Sequence, residues 1–435
     1  MAARKKPTRK AAKKQAPRAK PSTKKTSARK APKKSTPKKS TPKKKAAKKK
    51  AAAGRKGKAA KGAADRDLSE RKDRETLKCI RDVAHEVHGR ARRKAKPELK
   101  TPLRSLSNVE YDRKLGYFRI GRQRSTRTLT VNTVKTFAQT LKMMALSKEM
   151  IETDDFATKR DAYYVTKNWG EAKFDEQTES DAVMDDIEAM FSLHGVTREQ
   201  LRFYPDEHGG AVAGALTVLD RDPITGEEIE IDCTRFGSGA YSIPSSVEHL
   251  SMRTDAEFVL AIETGGMFQR LAAHGFWREQ NCILVSMGGV PTRATRRFVR
   301  ILADQARIPV YAFVDCDPYG IANIYRTLKV GSGNAAHVNR FFCVPQTHFL
   351  GVTPQDIVDY DLPTHPLKPV DVKRAKDALK NDPFFTGHPE WKAAMELLLK
   401  LGRRAEQQAF AKYGLDAVMT RYLPEKLADP RRFLP

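Results

Sequence analysis

Cysteine is scarce in this chain of 435 residues. The five present, Cys79, Cys233, Cys282, Cys316 and Cys343, are scattered, odd in number and never spaced as CxxC. That argues against a disulfide frame or a thiolate zinc site and points to a reducing compartment. Long apolar runs are missing too. None reaches about 18 residues, so no transmembrane span is expected, and the N-terminus lacks the apolar core of a secretory signal. No GxxxxGK(S/T) loop occurs, and no nucleotide site is evident. Acid is absent from one whole region: between Met1 and Ala64 there are 27 Lys or Arg and no Asp or Glu, leaving 55 basic against 52 acidic residues elsewhere. All but +3 of the formal charge of +30 therefore belongs to the tail, and bulk attraction to polyanions belongs there with it.

Residues 1–64 consist mainly of Lys, Ala, Pro, Ser and Thr, in near-repeats such as Lys33-Lys-Ser-Thr-Pro-Lys-Lys39. Too few apolar residues are present to offset ordering entropy, and the prolines interrupt helices, so a disordered tail is expected. Its composition resembles a linker-histone tail, which implies salt-dependent, sequence-insensitive binding to DNA phosphates. A solubilising or targeting extension is the competing reading. A place on the nucleoid in the cytoplasm is expected, with a nuclear address as the alternative.

From Asp65 the composition becomes globular. Leu77, Ile80, Ala84 and Val87 share a helix face, with Gly89 as its expected stop. Strands are expected at 117–121 and 127–131, then a helix capped by Asn132 that buries Val134, Phe137, Leu141 and Met144. A further helix follows Ser180, and Thr197 with Gln200 reads as a capping box opening another. Short helices joined by tight turns, with small strands, predict a winged-helix domain over 65–205. Strands at 211–219, 228–233 and 341–344, and a C-terminal helix from Trp391 to Ala411, complete the pattern.

Three short apolar runs, Phe258–Ile262, Cys282–Ser286 and Val310–Val314, are rich in branched and aromatic residues, and each is followed by a helical pattern. Such runs predict parallel strands buried on both faces, hence an α/β fold for 206–435. Ligands of such sheets bind beyond the carboxyl ends of the strands, where Glu263, Asp315 and Asp317 fall. Asp315 and Asp317, two apart on an extended chain, point the same way. Carboxylates gathered there repel unless a cation neutralises them, and Mg2+ suits them because it takes few protein oxygens and keeps water. The alternative is that these acids cap helices or face solvent.

Tyr163 and Tyr164 stand in a basic frame of Lys159, Arg160 and Lys167. Adjacent tyrosines are commonly a packing pair; beside a phosphate and a metal, one becomes a candidate nucleophile. Together, Lys159-Arg-Asp-Ala-Tyr-Tyr164, Glu263, Gly289-Val-Pro-Thr-Arg293 and Asp315-Cys-Asp-Pro-Tyr-Gly320 resemble the A subunits of the type IIB enzyme DNA topoisomerase VI. They are also similar to the related transesterase of meiotic double-strand breaks. The likeness runs from about residue 70 to the C-terminus and takes in Tyr422-Leu-Pro-Glu-Lys426.

The resemblance implies a winged-helix (CAP-like) DNA-cleavage domain followed by a Toprim domain with a mainly parallel sheet and a C-terminal helical extension. Within it Tyr164 matches the nucleophile, Arg160 the motif arginine, and Glu263, Asp315 and Asp317 the magnesium ligands. Lys159, Lys167, Arg293 and Arg296 are candidate contacts to double-stranded DNA. Thr264 departs from the pattern, since the family often carries a lysine there. The resemblance further implies a homodimer joined to a GHKL-type ATPase B subunit in an A2B2 heterotetramer, with ATP bound by that partner. Two rivals remain: a break-maker that does not routinely reseal, and a non-catalytic architectural DNA binder.

Overall fold

The computed structural model describes residues 70–206, 208–222 and 224–435; the tail expected to be disordered lies outside the described residues. Helix α1 (70–92) runs past Gly89, its expected stop. One glycine costs a helix only about 1 kcal/mol, and the chain turns later, at Lys94 (φ 58), where Lys94 N donates to the Ala91 carbonyl and Ala95 N to that of Arg90.

Three helices, α2 (Val134–Glu152), α3 (Lys159–Thr166) and α4 (Gln177–Ser192), enclose a core of Met143, Met144, Phe174, Ile187, Phe191 and Leu201. The strand pair Glu98–Pro102 with Arg124–Thr128 flanks them, while the hairpin Val109–Asp112 with Tyr117–Ile120 packs through Phe118 on the core of the C-terminal region. This is the layout the winged-helix expectation described, with local corrections. Thr133, not Asn132, precedes α2, and its hydroxyl donates to the Thr128 carbonyl, ending the strand three residues early. The Thr197 capping box is only half formed. Gln200 Oε1 accepts from Thr197 N at 2.8 Å, but no helix follows, because Arg202 takes φ 66 and leads into the strand Phe203–Tyr204.

The expected strand 211–219 is two strands. It bends at Gly214 (φ 116), where a Cβ would stand 2.4 Å from the Cys282 carbonyl oxygen. Beyond the bend, Thr217–Arg221 joins Glu228–Asp232 and Ser251–Arg253 in a three-stranded antiparallel sheet. The main sheet contains β1 (Ala211–Gly214), β2 (Tyr241–Ser242), β3 (Phe258–Ile262), β4 (Cys282–Ser286), β5 (Val310–Phe313) and β6 (His348–Phe349), in the order β2-β1-β4-β3-β5-β6. Strands β4, β3, β5 and β6 are parallel to one another; β1 and β2 form an antiparallel margin. Every residue of β3 and β4 is buried, as their unbroken apolar runs required. Helices α5 (Gly265–Ala273) and α6 (Arg293–Ala306) follow β3 and β4.

Residues 341–344 form no strand; Asn339–Phe342 is a helical turn held by Asn339 Nδ2, which donates to the carbonyls of Phe118 and Ser332. The C-terminal helix α7 (Pro389–Leu401) ends at Gly402 (φ 62), ten residues before its expected limit. All five cysteines are free, and no helix among the described residues is long and apolar enough to cross a membrane.

Candidate active site

Register sets the site. Ile262 pairs with Ser286 on one side and Phe313 on the other, so β3, β4 and β5 end level. Glu263 N donates to the Phe313 carbonyl (3.0 Å), and Gly289 N to that of Glu263 (2.9 Å). Glu263, the glycine loop after β4 and Asp315 are thereby brought side by side. Glu263 Oε2 accepts from Asp315 N at 2.9 Å, and Asp317 Oδ1 from Gly320 N at 2.6 Å. Burial pushes both the Glu263 and Asp315 carboxyls above the usual carboxylate range. Neighbouring Asp317 and Glu406 push the same way, against backbone N–H donors that favour the charged forms.

The early end of α7 supplies what the sequence reading missed. After Gly402 the chain turns back across the ends of the strands. Cys316 N donates to the Ala405 carbonyl (2.8 Å), Gln407 N to Asp315 Oδ1 (2.8 Å), and Gln407 Nε2 to the Phe313 carbonyl (2.9 Å). Arg404 Nη1 stands 3.4 Å from Asp317 Oδ2. Arg404, Glu406 and Gln407 thus join the acids, and the one signal for this was Gly402, a helix stop inside an otherwise continuous pattern.

The two tyrosines lie on α3, whose start is fixed by a complete capping box: Thr158 Oγ1 accepts from Asp161 N, and the Asp161 carboxylate accepts from Thr158 N. Tyr163 is committed. Its hydroxyl donates to the Asp175 carbonyl at 2.9 Å, and Lys167 Nζ lies 4.2 Å from its ring centre. Tyr164 is 57% exposed, and its hydroxyl makes no hydrogen bond among the described residues. Arg160 is also exposed, without an ion pair among those residues, whereas Lys159 pairs with Asp181 (3.2 Å) and Lys167 donates to the Phe174 carbonyl (2.7 Å). Tyr163 packs on the N-terminal core while the strands carrying the acids belong to the other. No hydrogen bond, ion pair or ring contact joins α3 to the acid cluster among the described residues.

Arg293 and Arg296, the candidate DNA contacts beyond the glycine loop, both lie in the first turn of α6. Arg293 reaches back to the N-terminal helices, with Nη2 2.6 Å from Glu188 Oε1 and Nε 2.9 Å from Glu199 Oε1, both acids being buried. Arg296 is 9% exposed beside the Phe342 ring, and burial pushes its guanidinium down to about 10. Opening α6 at the domain junction, both side chains turn inward, Arg293 onto two buried acids and Arg296 beside Phe342.

Three family models cover most of the described chain. "Type IIB DNA topoisomerase" matches residues 135–202, and "All-beta domain in DNA topoisomerase VI alpha subunit" matches 206–256. The third, for the Toprim domain shared by topoisomerase 6 A subunits and Spo11, matches 258–427. The second corresponds to the region of the small antiparallel sheet, which the sequence reading ran together with the Toprim domain. Curated relatives named as the A subunit of type 2 DNA topoisomerase 6 match over most of their length. The protein of Methanocaldococcus jannaschii is 51% identical over 366 residues, 84% of this chain and 98% of the relative. That of Methanothermobacter thermautotrophicus is 39% identical over 76% of this chain and 91% of its own length, and that of Halobacterium salinarum 38% over 77% and 90%. Matches on this scale, spanning both the tyrosine helix and the acidic strand ends, place the chain in the family of type 2 DNA topoisomerase 6 A subunits.

Proposed function

We propose that this chain cleaves double-stranded DNA by transesterification, with Tyr164 as nucleophile and Glu263, Asp315 and Asp317 as the acids that hold Mg2+. The observation that carries the assignment is the contrast between neighbours on α3: the Tyr163 hydroxyl is occupied and the Tyr164 hydroxyl is free and exposed.

The donor set fits Mg2+. It is all oxygen, backbone N–H groups fix one oxygen on each acid, and mutual repulsion leaves the cluster in need of positive charge. No three His, Cys, Asp or Glu among the described residues form a ready metal clasp. Mg2+ does not require one, since it keeps several waters and uses one or two carboxylates plus substrate phosphate. When bound there it would neutralise phosphate charge and steady the departing oxygen.

In the reaction, Tyr164 Oη forms a bond to phosphorus as the bond to the 3′ oxygen breaks. The phenol proton passes to water, and the 3′ oxygen leaves as a hydroxyl. The product is a 5′ phosphotyrosine that the 3′ hydroxyl can attack in reverse, resealing the strand without a ligase. Arg160, exposed one turn before Tyr164, is positioned to offset charge on the phosphorane. Because α3 and the acids do not meet within the described chain, we assign a homodimer in which Tyr164 of one protomer serves the acids of the other. Strand passage requires energy input, which we assign to an ATPase B subunit in an A2B2 assembly.

The test is denaturant trapping on supercoiled DNA with the B partner present. Tyr164→Phe is expected to abolish covalent protein–DNA species while sparing DNA binding, and Tyr163→Phe to retain them. Capture surviving in Tyr164→Phe, or lost only in Tyr163→Phe, overturns the assignment.

A further inference from the structure

Arg404 is poorly matched to the place where it sits. A guanidinium carries five N–H donors, and a settled arginine–carboxylate pair is bidentate at about 2.7–2.9 Å. Arg404 makes one contact to the acids, Nη1 to Asp317 Oδ2 at the long distance of 3.4 Å. Its Nε is buried and has no hydrogen-bond partner among the described residues. Its side chain remains 21% exposed, at the mouth of the acid cluster. The backbone that delivers it is nevertheless firmly held, by pairing of Arg403 and Arg404 with His365 and Pro366 and by the bridge between Ala405 and Cys316. A rigid strap thus presents an under-used cation to a cluster of acids.

Arg293 shows what a satisfied arginine looks like in the same chain. Its nitrogens make four hydrogen bonds of 2.6–3.4 Å to two buried carboxylates. The acids near Arg404 outnumber it, since Asp315, Asp317, Glu263 and Glu406 all bear on one another there. A single monodentate contact cannot balance them, and it leaves most of the guanidinium's donors free.

We infer that Arg404 is an exchangeable counter-ion: it holds Asp317 while no metal is bound, yields that oxygen when a divalent cation enters, and then offers its free N–H groups to a DNA phosphate. The inference deepens the metal reading above and rests on it. It makes Arg404 a competitor for metal and a partner for phosphate at once. A side chain that merely supported the fold would favour both ligands, and its loss would weaken both.

The test uses the full chain stripped of metal, with Mg2+ titrated calorimetrically and no DNA present. Replacing Arg404→Gln is expected to tighten Mg2+ binding about three- to tenfold, because a competing charge is removed, and Arg404→Lys to lie between. In a second arm, duplex DNA binding is measured against salt in the Tyr164→Phe background. With Mg2+ present, Arg404→Gln should lower the salt slope by about one, and without Mg2+ it should leave the slope unchanged. Weaker or unaltered Mg2+ binding in Arg404→Gln, or a slope change independent of Mg2+, overturns the exchange while the metal reading stands. A parent chain that takes up no more Mg2+ than Asp315→Asn overturns both.

Discussion

Two arginine–carboxylate clusters stand in this chain, and they are built on opposite principles. At the junction of the N-terminal helices with α6, Arg293 binds Glu188 and Glu199, Arg198 N donates to Glu188 at 2.7 Å, and His337 Nε2 lies 3.4 Å from Glu188. Burial alone would raise the Glu188 carboxyl, but Arg293, His337 and Arg198 outweigh it and hold that carboxyl well below the usual range. At the ends of β3 and β5, burial and like charge act together, and Glu263 and Asp315 are raised. The first cluster pairs its acids with cations and is buried, although Arg198 Nε and the His337 ring nitrogens make no hydrogen bond there among the described residues; the second is acid-rich, partly open and short of cations. Closed balance fastens one domain to another. Imbalance kept at a strand-end opening needs a ligand, and only a fold stable on other grounds can maintain it.

The comparison is broken most severely by Asp315→Asn. Asn retains the oxygen that accepts from Gln407 N, so the fold loses little, while the proposed Mg2+ site loses a negative charge. DNA cleavage with the B subunit is expected to fall by at least about a thousandfold, with the metal-free melting temperature unchanged or raised by relief of repulsion. A clear fall in that temperature would mean the acids are structural after all. Arg293→Met inverts the pattern. It leaves Glu188 and Glu199 buried without their main partner, a loss of roughly 3–5 kcal/mol in a denaturant melt, and Mg2+ binding to the protein that remains folded should persist. If instead stability holds and metal binding is lost, the two clusters have been assigned the wrong way round.

How much of this was legible in the sequence follows from the same distinction. The central strands were read nearly to the residue, because burial on both faces leaves an unbroken apolar signature at Phe258–Ile262 and Cys282–Ser286. That Glu263 and Asp315 lie side by side was legible because strand ends are fixed points of such a sheet. The ion pairs of Arg293 with Glu188 and Glu199 were not legible. Those partners lie about a hundred residues away, and sequence does not show which acids a cation meets. Arg404 and Gln407 were missed for a related reason. Local propensity favoured one helix from Trp391 to Ala411, and the stop at Gly402 gains its meaning only from the bridge to Cys316. The choice of Tyr164 over Tyr163 came from the family resemblance; the structure adds an independent physical reason in the hydrogen bond to Asp175.

A third site extends the balanced class and gives the smallest expected effect. Glu248 accepts from Arg297 Nε at 2.6 Å and from Lys72 Nζ of α1 at 3.1 Å. Burial opposes ionisation, but Arg297 and Lys72 prevail and bring the Glu248 carboxyl down from 4.5 to about 2. A carboxyl depressed on folding contributes stability that is fully present above its unfolded value and is lost as the folded value is passed. The stabilisation, on the order of 3 kcal/mol at neutral pH, should therefore fade as pH drops from 4.5 to about 2. In Glu248→Gln that pH-dependent share is absent. Denaturant melts of the two proteins should differ most above pH 5 and converge toward pH 2, as a balanced, closed cluster requires. A gap that widened on acidification would place Glu248 with the raised, acid-rich carboxylates of the strand ends instead.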